Sequence, residues 1–174
     1  MKTFDIDGRE IVNTGPVGEL LLQVGGKFDE TSVTLSAYSE RLDRHRVTAL
    51  LGVNPSEAWD PGERHPLGKK GKTRICDWGK WVLSIEYDTR PVEDKIRELL
   101  GQCTQDISRW QQLASDYDIW LTVSGHLNSW NRELNLSSKL LRMLTDRNLD
   151  LKVDVYFYGD DEEEESDLPS AGTR

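Results

Sequence analysis

The stretch GKKGKTRICDWGKW, Gly68 to Trp81, contains the triplet Gly71-Lys72-Thr73, which is how a phosphate-cradling loop ends. Such a loop opens on a glycine five residues earlier, a place held here by Pro66. It also joins a strand to a helix whose first amides face the phosphate. Here a proline-containing segment precedes the triplet and a strand-like run follows it, so the spacing predicts turn chemistry with solvated lysines. Metal chemistry finds no better footing. His45, His65 and His126 stand apart, and neither HExxH nor CxxC spacing occurs. The chain has no GxSxG, and Cys76 and Cys103 lie far apart without a recognisable base nearby in sequence. They are expected to be reduced thiols. No catalytic residue, metal or cofactor is predicted.

The elements that would carry any site are legible from periodicity. Four runs alternate with period two, as half-buried strands do: residues 31–38, 81–87, 119–126 and 151–158. Val33, Leu35 and Ala37 share one face, as do Trp81, Leu83, Ile85 and Tyr87 in the second run. A fifth strand is expected at 19–25, ELLLQVG. One helix is predicted over 44–51, capped by Asp43 and ended by Gly52. A long one follows Pro91, its apolar stripe running from Val92 through Cys103 to Leu113, with a bend conceivable at Gly101. A third covers 138–147, capped by Ser137, with Leu140, Leu141 and Leu144 facing inward and Asn148 at its end. Strands with one apolar face, alternating with helices, predict an α+β two-layer sandwich: a mixed sheet of four or five strands with helices packed on one face.

The chain of 174 residues is one domain's worth. Residues 1–159 are read as a single α+β domain and 160–174 as an acidic tail expected to be disordered. The formal net charge of −9 comes mostly from DDEEEESD, seven acids in eight residues; without 160–174 there remain 24 acids against 21 bases. Duplex nucleic acid is therefore not an expected partner. No apolar run approaches membrane-spanning length, and the N-terminus has no secretory-type stretch, so a cytoplasmic location is expected.

Period two also assigns the face turned away from the helices. It collects Tyr38, Glu86, Trp120, His126, Asp154, Tyr156 and Tyr158, together with Thr34, Ser36, Thr122, Ser124 and Lys152. Large aromatics among hydrogen-bonding groups are a recognition composition, and this is the candidate binding face. The opposing reading is that the N-terminal strand or a second subunit covers it, the latter making a homodimer. A second candidate is the basic loop 54–80, with Arg64, His65, Lys69, Lys70, Lys72 and Arg74. It is long for a connection inside a compact domain.

The run LDRHRVTALLGVNPSEAWDPGE followed by WGKWVLSIEYD resembles the DUF4279 family of bacterial domains of unknown function. The shared features are an acidic helix cap (Asp43), Leu51-Gly52, Pro55-Ser56, Pro61-Gly62 and the strand Trp81-Val82-Leu83-Ser84. The ending SSKLLRMLTDRNLDLKVDVYFYG is similar too, so the likeness spans about residues 31–159, with 1–30 as an extension outside it. The resemblance carries no catalytic residues. The association of such orphan domains with bacterial toxin systems implies a non-catalytic protein-binding role, of immunity or antitoxin type with a toxin as partner. The alternative expectation is a small-molecule sensor or enzyme, with His126, Glu86 and Arg64 in a pocket between the basic loop and the sheet.

Overall fold

A computed structural model describes residues 26–67, 72–127 and 132–157. The expected strand at 19–25 and the acidic tail lie outside these residues. The elements follow in the order β1 (Glu30–Ser39), α1 (Arg44–Leu51), β2 (Glu57–Trp59), β3 (Arg64–Leu67), β4 (Lys72–Ile75) and β5 (Gly79–Asp88), then α2 (Val92–Gln102), α3 (Ile107–Asp116), β6 (Asp118–Leu127), α4 (Ser138–Asp146) and β7 (Asp150–Phe157). Five strands form one mixed sheet in the order β2-β5-β1-β6-β7, with only β6 and β7 parallel. The predicted α+β architecture, helices on one side of a mixed sheet, is what the chain adopts.

The alternation explains why this sheet has a dry side. Val33, Leu35 and Ala37 of β1, Trp81, Leu83 and Ile85 of β5, and Ile119, Leu121 and Val123 of β6 are all buried. They pack against Val47, Leu51, Ile96, Leu99, Leu100, Trp110, Leu113, Leu140 and Leu144 of the four helices in one continuous core. Trp81 is the largest wedge. Its neighbours in register are Ala37 on β1 and Ala58 on β2, small residues that leave room for the indole. The buried Trp81 Nε1–H donates to Thr48 Oγ1 of α1 at 3.0 Å, tying strand to helix.

Helix ends follow local chemistry. Asp43 accepts from the amides of His45 and Arg46, and Gly52 ends α1 at φ 74°, where a side chain would be strained. Ser137 caps α4 through the Leu140 amide, and Asn148 turns the chain out at φ 52°. Leu141 corrects the expected inward stripe: Leu140 and Leu144, one turn apart, are buried, whereas Leu141 is 44% exposed. At about 100° from Leu140 around the axis it faces past the core's edge.

The long middle helix is in fact two. The chain breaks between Cys103 and Asp106, not at Gly101, which stays helical. Asp106 caps α3 through the Ser108 amide, Gln105 Nε2 donates to the Leu100 and Cys103 carbonyls, and the Thr104 amide donates to Leu51 O. Two polar side chains and one backbone amide thus give the chain partners outside the helix ladder. The apolar stripe reads through because both helices bury into the same core. Cys103 lies in it, and burial pushes its thiol up to about 11. Cys76 is only half-buried. Titration of the native protein with a maleimide near pH 7 should therefore modify one thiol promptly and the second only in denaturant; two equally fast thiols would contradict this.

Two features escaped the periodicity. Between Thr31 and Val33 the register of β1 against β5 slips, Thr31 pairing Asp88 and Val33 pairing Ile85. This bulge inserts one residue into β5 at Glu86–Tyr87. It reverses the faces beyond it, so Tyr87 joins the polar side, not the core side expected for it, and Asp88 turns toward the helices. There Asp88 meets Lys95 of α2, whose side chain is fully buried. Lys95 Nζ lies 2.6 Å from Asp88 Oδ1 and donates to Asp88 O, Thr31 Oγ1 and Thr31 O. The ammonium also holds the Asp88 carboxyl well below its ordinary range, with Arg90 assisting.

Candidate functional site: the helix-free sheet face

The side of the sheet away from the helices carries residues that antiparallel and parallel register bring into two bands. The first crosses all five strands at one end. Trp59 of β2 pairs in register with Lys80 of β5, and Lys80 with Tyr38 of β1. Lys80 Nζ sits 4.6 Å from the Trp59 ring centre and 2.6 Å from Glu57 Oε2. Tyr38 stacks on Trp120 of β6 with centroids 5.1 Å apart and planes 11° from parallel. Lys152 Nζ of β7 also lies over that indole, 3.3 Å from a ring centre. Aromatic and cationic groups therefore follow one another from edge to edge, each contact of a kind worth about 0.5–2 kcal/mol. Burial pushes the Tyr38 phenol above its ordinary value, opposed by the adjacent Lys80 ammonium.

The second band stands at the other end of the same face. His126 of β6 meets the Tyr87 ring edge-on at 4.5 Å and stacks with Tyr156 of β7 at 5.5 Å. Tyr87 reaches His126 only because of the β5 bulge. Between the bands the face is floored by small hydroxyl residues. Thr34 and Ser84 hydroxyls are 3.3 Å apart, Thr34 pairs Thr122, and Ser36 and Val82 are buried. The face thus carries two aromatic bands with hydroxyl side chains between them.

Of the residues expected on this face, Tyr38 and Trp120 come together in the first band, and His126 and Tyr156 in the second. Asp154 is exposed on β7, in register with Ser124, and Glu86 is exposed at the bulge. Tyr158 lies outside the described residues. Sequence reasoning missed Trp59, Lys80 and Tyr87. Trp59 and Lys80 belong to the segment read as a loop, or border it, and Tyr87 needed the bulge.

That segment is not a plain loop. It holds the edge strand β2 and a two-stranded ribbon in which Arg64 pairs Ile75 and His65 pairs Arg74. Arg44 of α1 fastens it, 3.3 Å from Asp60 and 3.0 Å from Glu63. His65 packs on Trp59 at 4.0 Å. Because register neighbours share a face, His65 and Arg74 stand on one side of the ribbon and Arg64 on the other. Lys69 and Lys70 lie outside the described residues, as does Gly71; the backbone of Lys72 and Thr73 opens β4.

A cavity of about 510 Å³ opens elsewhere, where the start of α2 faces residues 133–137. Lys27, Phe28, Arg90, Glu93 and Asn135 are among its walls; His126, Glu86 and Arg64 are not. Two of its charged groups are engaged within the fold, Arg90 with Asp88 and Glu98, and Glu93 with Arg97 and the Ser137 amide, while Lys27, Asp94 and Glu133 also line it. Among the described residues no cluster of three or more His, Cys, Asp or Glu is placed to hold a metal, and no helix is long and apolar enough to cross a membrane.

No curated protein and no solved structure matches the chain. The family model described as a domain of unknown function, DUF4279, matches residues 29–158, from the approach to β1 to the end of β7. That span takes in every element of the fold and both aromatic bands, and the chain belongs to this family.

Proposed function

We propose that the protein is a non-catalytic binding protein that docks another protein on the helix-free face of its sheet. The observation that carries the reading is the aromatic–cationic band Trp59, Lys80, Tyr38, Trp120, Lys152, which runs across five strands. Rigid rings with few rotatable bonds, preordered by stacking on one another, lose little entropy when a partner covers them. The small-hydroxyl floor supplies donors and acceptors without projecting into the partner. A toxin countered by an immunity or antitoxin-type chain is the partner class in keeping with the family resemblance. The reading as a sensor or enzyme is less favoured, because His126, Glu86 and Arg64 do not line the cavity.

The test compares the protein with Trp120→Ala/Tyr156→Ala, both immobilised and exposed to extract of the source cell. The protein that the native chain retains should bind the double variant about 30-fold or more weakly, as loss of hot-spot rings does. Circular dichroism and the melting temperature should stay near those of the native chain. Equal retention by both would refute the face as the docking surface.

A further inference from the structure

The outer strand β7 is the exposed edge of the sheet. Among the described residues it pairs with β6 alone, and seven of its eight residues are exposed. Val153, Val155, Tyr156 and Phe157 are 41–58% exposed, and Leu141 of the adjoining α4 stands exposed beside them. β7 holds no proline, and no bulge interrupts its pairing with β6. Edges of this kind are templates for a further strand, and natural sheets usually protect them with proline, bulges or inward charges. Three charged side chains stand on the helix-free face of β7, Asp150, Lys152 and Asp154, the last two of opposite sign and symmetric about Val153.

We propose that β7 pairs with β7 of a second copy of this chain, antiparallel and centred on Val153, making a two-fold dimer with a continuous ten-stranded sheet. In that register Lys152 of each copy faces Asp154 of the other, so the two ion pairs form by symmetry. On the helix side Val153 meets its own equivalent, and Leu151 meets Val155, which covers apolar surface that a single copy leaves in water. A parallel arrangement would place Lys152 against Lys152 and Asp154 against Asp154. Pairing centred on Lys152 would likewise set like charges opposite. Centring on Leu151 would also set opposite charges together, Asp150 against Lys152, but it leaves Val155 to Phe157 unpaired; the register about Val153 forms both ion pairs while pairing residues 150–156 of each copy. The dimer leaves the proposed docking face of each copy uncovered and joins the two side by side, so it does not depend on that reading.

Sedimentation equilibrium of the full chain at micromolar to submillimolar concentrations tests this. The native chain should dimerise. Lys152→Asp and Asp154→Lys, each placing like charges opposite twice, should each raise the dissociation constant about tenfold or more. The double reversal Lys152→Asp/Asp154→Lys recreates both pairs with their signs exchanged and should return the constant to near its native value. Val153→Pro, at the centre of the edge, should abolish dimerisation while circular dichroism reports the fold. A monomer at every concentration overturns the proposal. So does a dimer indifferent to the reversals, one not rescued by the double reversal, or one abolished by Trp120→Ala in place of the β7 changes.

Discussion

Replacing Trp81 by alanine is expected to remove about 3–5 kcal/mol of stability, toward the upper end of that range. The indole is fully buried, and its cross-strand neighbours are Ala37 and Ala58. Alanines cannot extend into the vacated space, so the cavity cannot collapse from the sides, and the cost of such a change grows with the cavity that remains. The Thr48 hydroxyl also loses its donor. For a domain of ordinary stability, about 5–15 kcal/mol, this is a large share of the total. Trp81→Phe should be far milder, about 1–2 kcal/mol, since a ring still fills most of the site and the Thr48 hydroxyl can reorient. Guanidinium denaturation of the three proteins measures both values. An alanine variant within about 1 kcal/mol of the native chain would show that the sheet does not depend on this wedge.

The second large effect belongs to Lys95. Its ammonium has no exposed surface and serves the Asp88 carboxylate together with the Thr31 and Asp88 carbonyls. Lys95→Ala leaves those acceptors without their donor and opens a channel where the side-chain stem lay, an expected loss of about 3–5 kcal/mol. Lys95→Met restores most of the volume but not the donor, so the difference between the two variants reads the packing share. Acidity supplies an independent readout. The folded state holds the Asp88 carboxyl below its ordinary value, so the stability it contributes is present above about pH 4 and is lost as pH falls through the lowered value. Between pH 7 and pH 3 the native chain should lose more stability than Lys95→Met, in which much of that linkage is gone. Parallel acid limbs for the two proteins would exclude Lys95 as the principal partner of Asp88.

What could be read from residues alone divides along a physical line. Alternation over seven or eight residues identified β1, β5, β6 and β7, and caps with dedicated side chains located α1 and α4. Short strands defeat the same reasoning: three or four residues, as in β2, β3 and β4, cannot establish a period. The break between α2 and α3 hides beneath a continuous stripe because periodicity records which side is buried, not whether the axis is unbroken. Lys95 was invisible for a related reason, since a charged residue on a helix reads as solvated until its partner is placed.

The candidate face shows the same division. Period two placed Tyr38, Trp120, His126 and Tyr156 on one side, but only register decides which rings touch. Register depends on pairing between strands far apart in sequence, and one inserted residue in β5 exchanged the sides of Tyr87 and Asp88. That single insertion supplies a ring to one face and a carboxylate to the other.

The position of β1 bears on how the chain is made. It is the first described strand to leave the ribosome and the middle strand of the finished sheet, between β5 and β6. Its first neighbour begins at Gly79 and its second at Asp118, so one side waits for residues 79–88 and the other for residues 118–127 to be synthesised. A strand with Val33, Leu35 and Ala37 on one side thus waits unpaired through much of translation. The core closes only after β6 is made, and the nascent protein passes through an interval in which the strand destined for the middle of the sheet has neither neighbour.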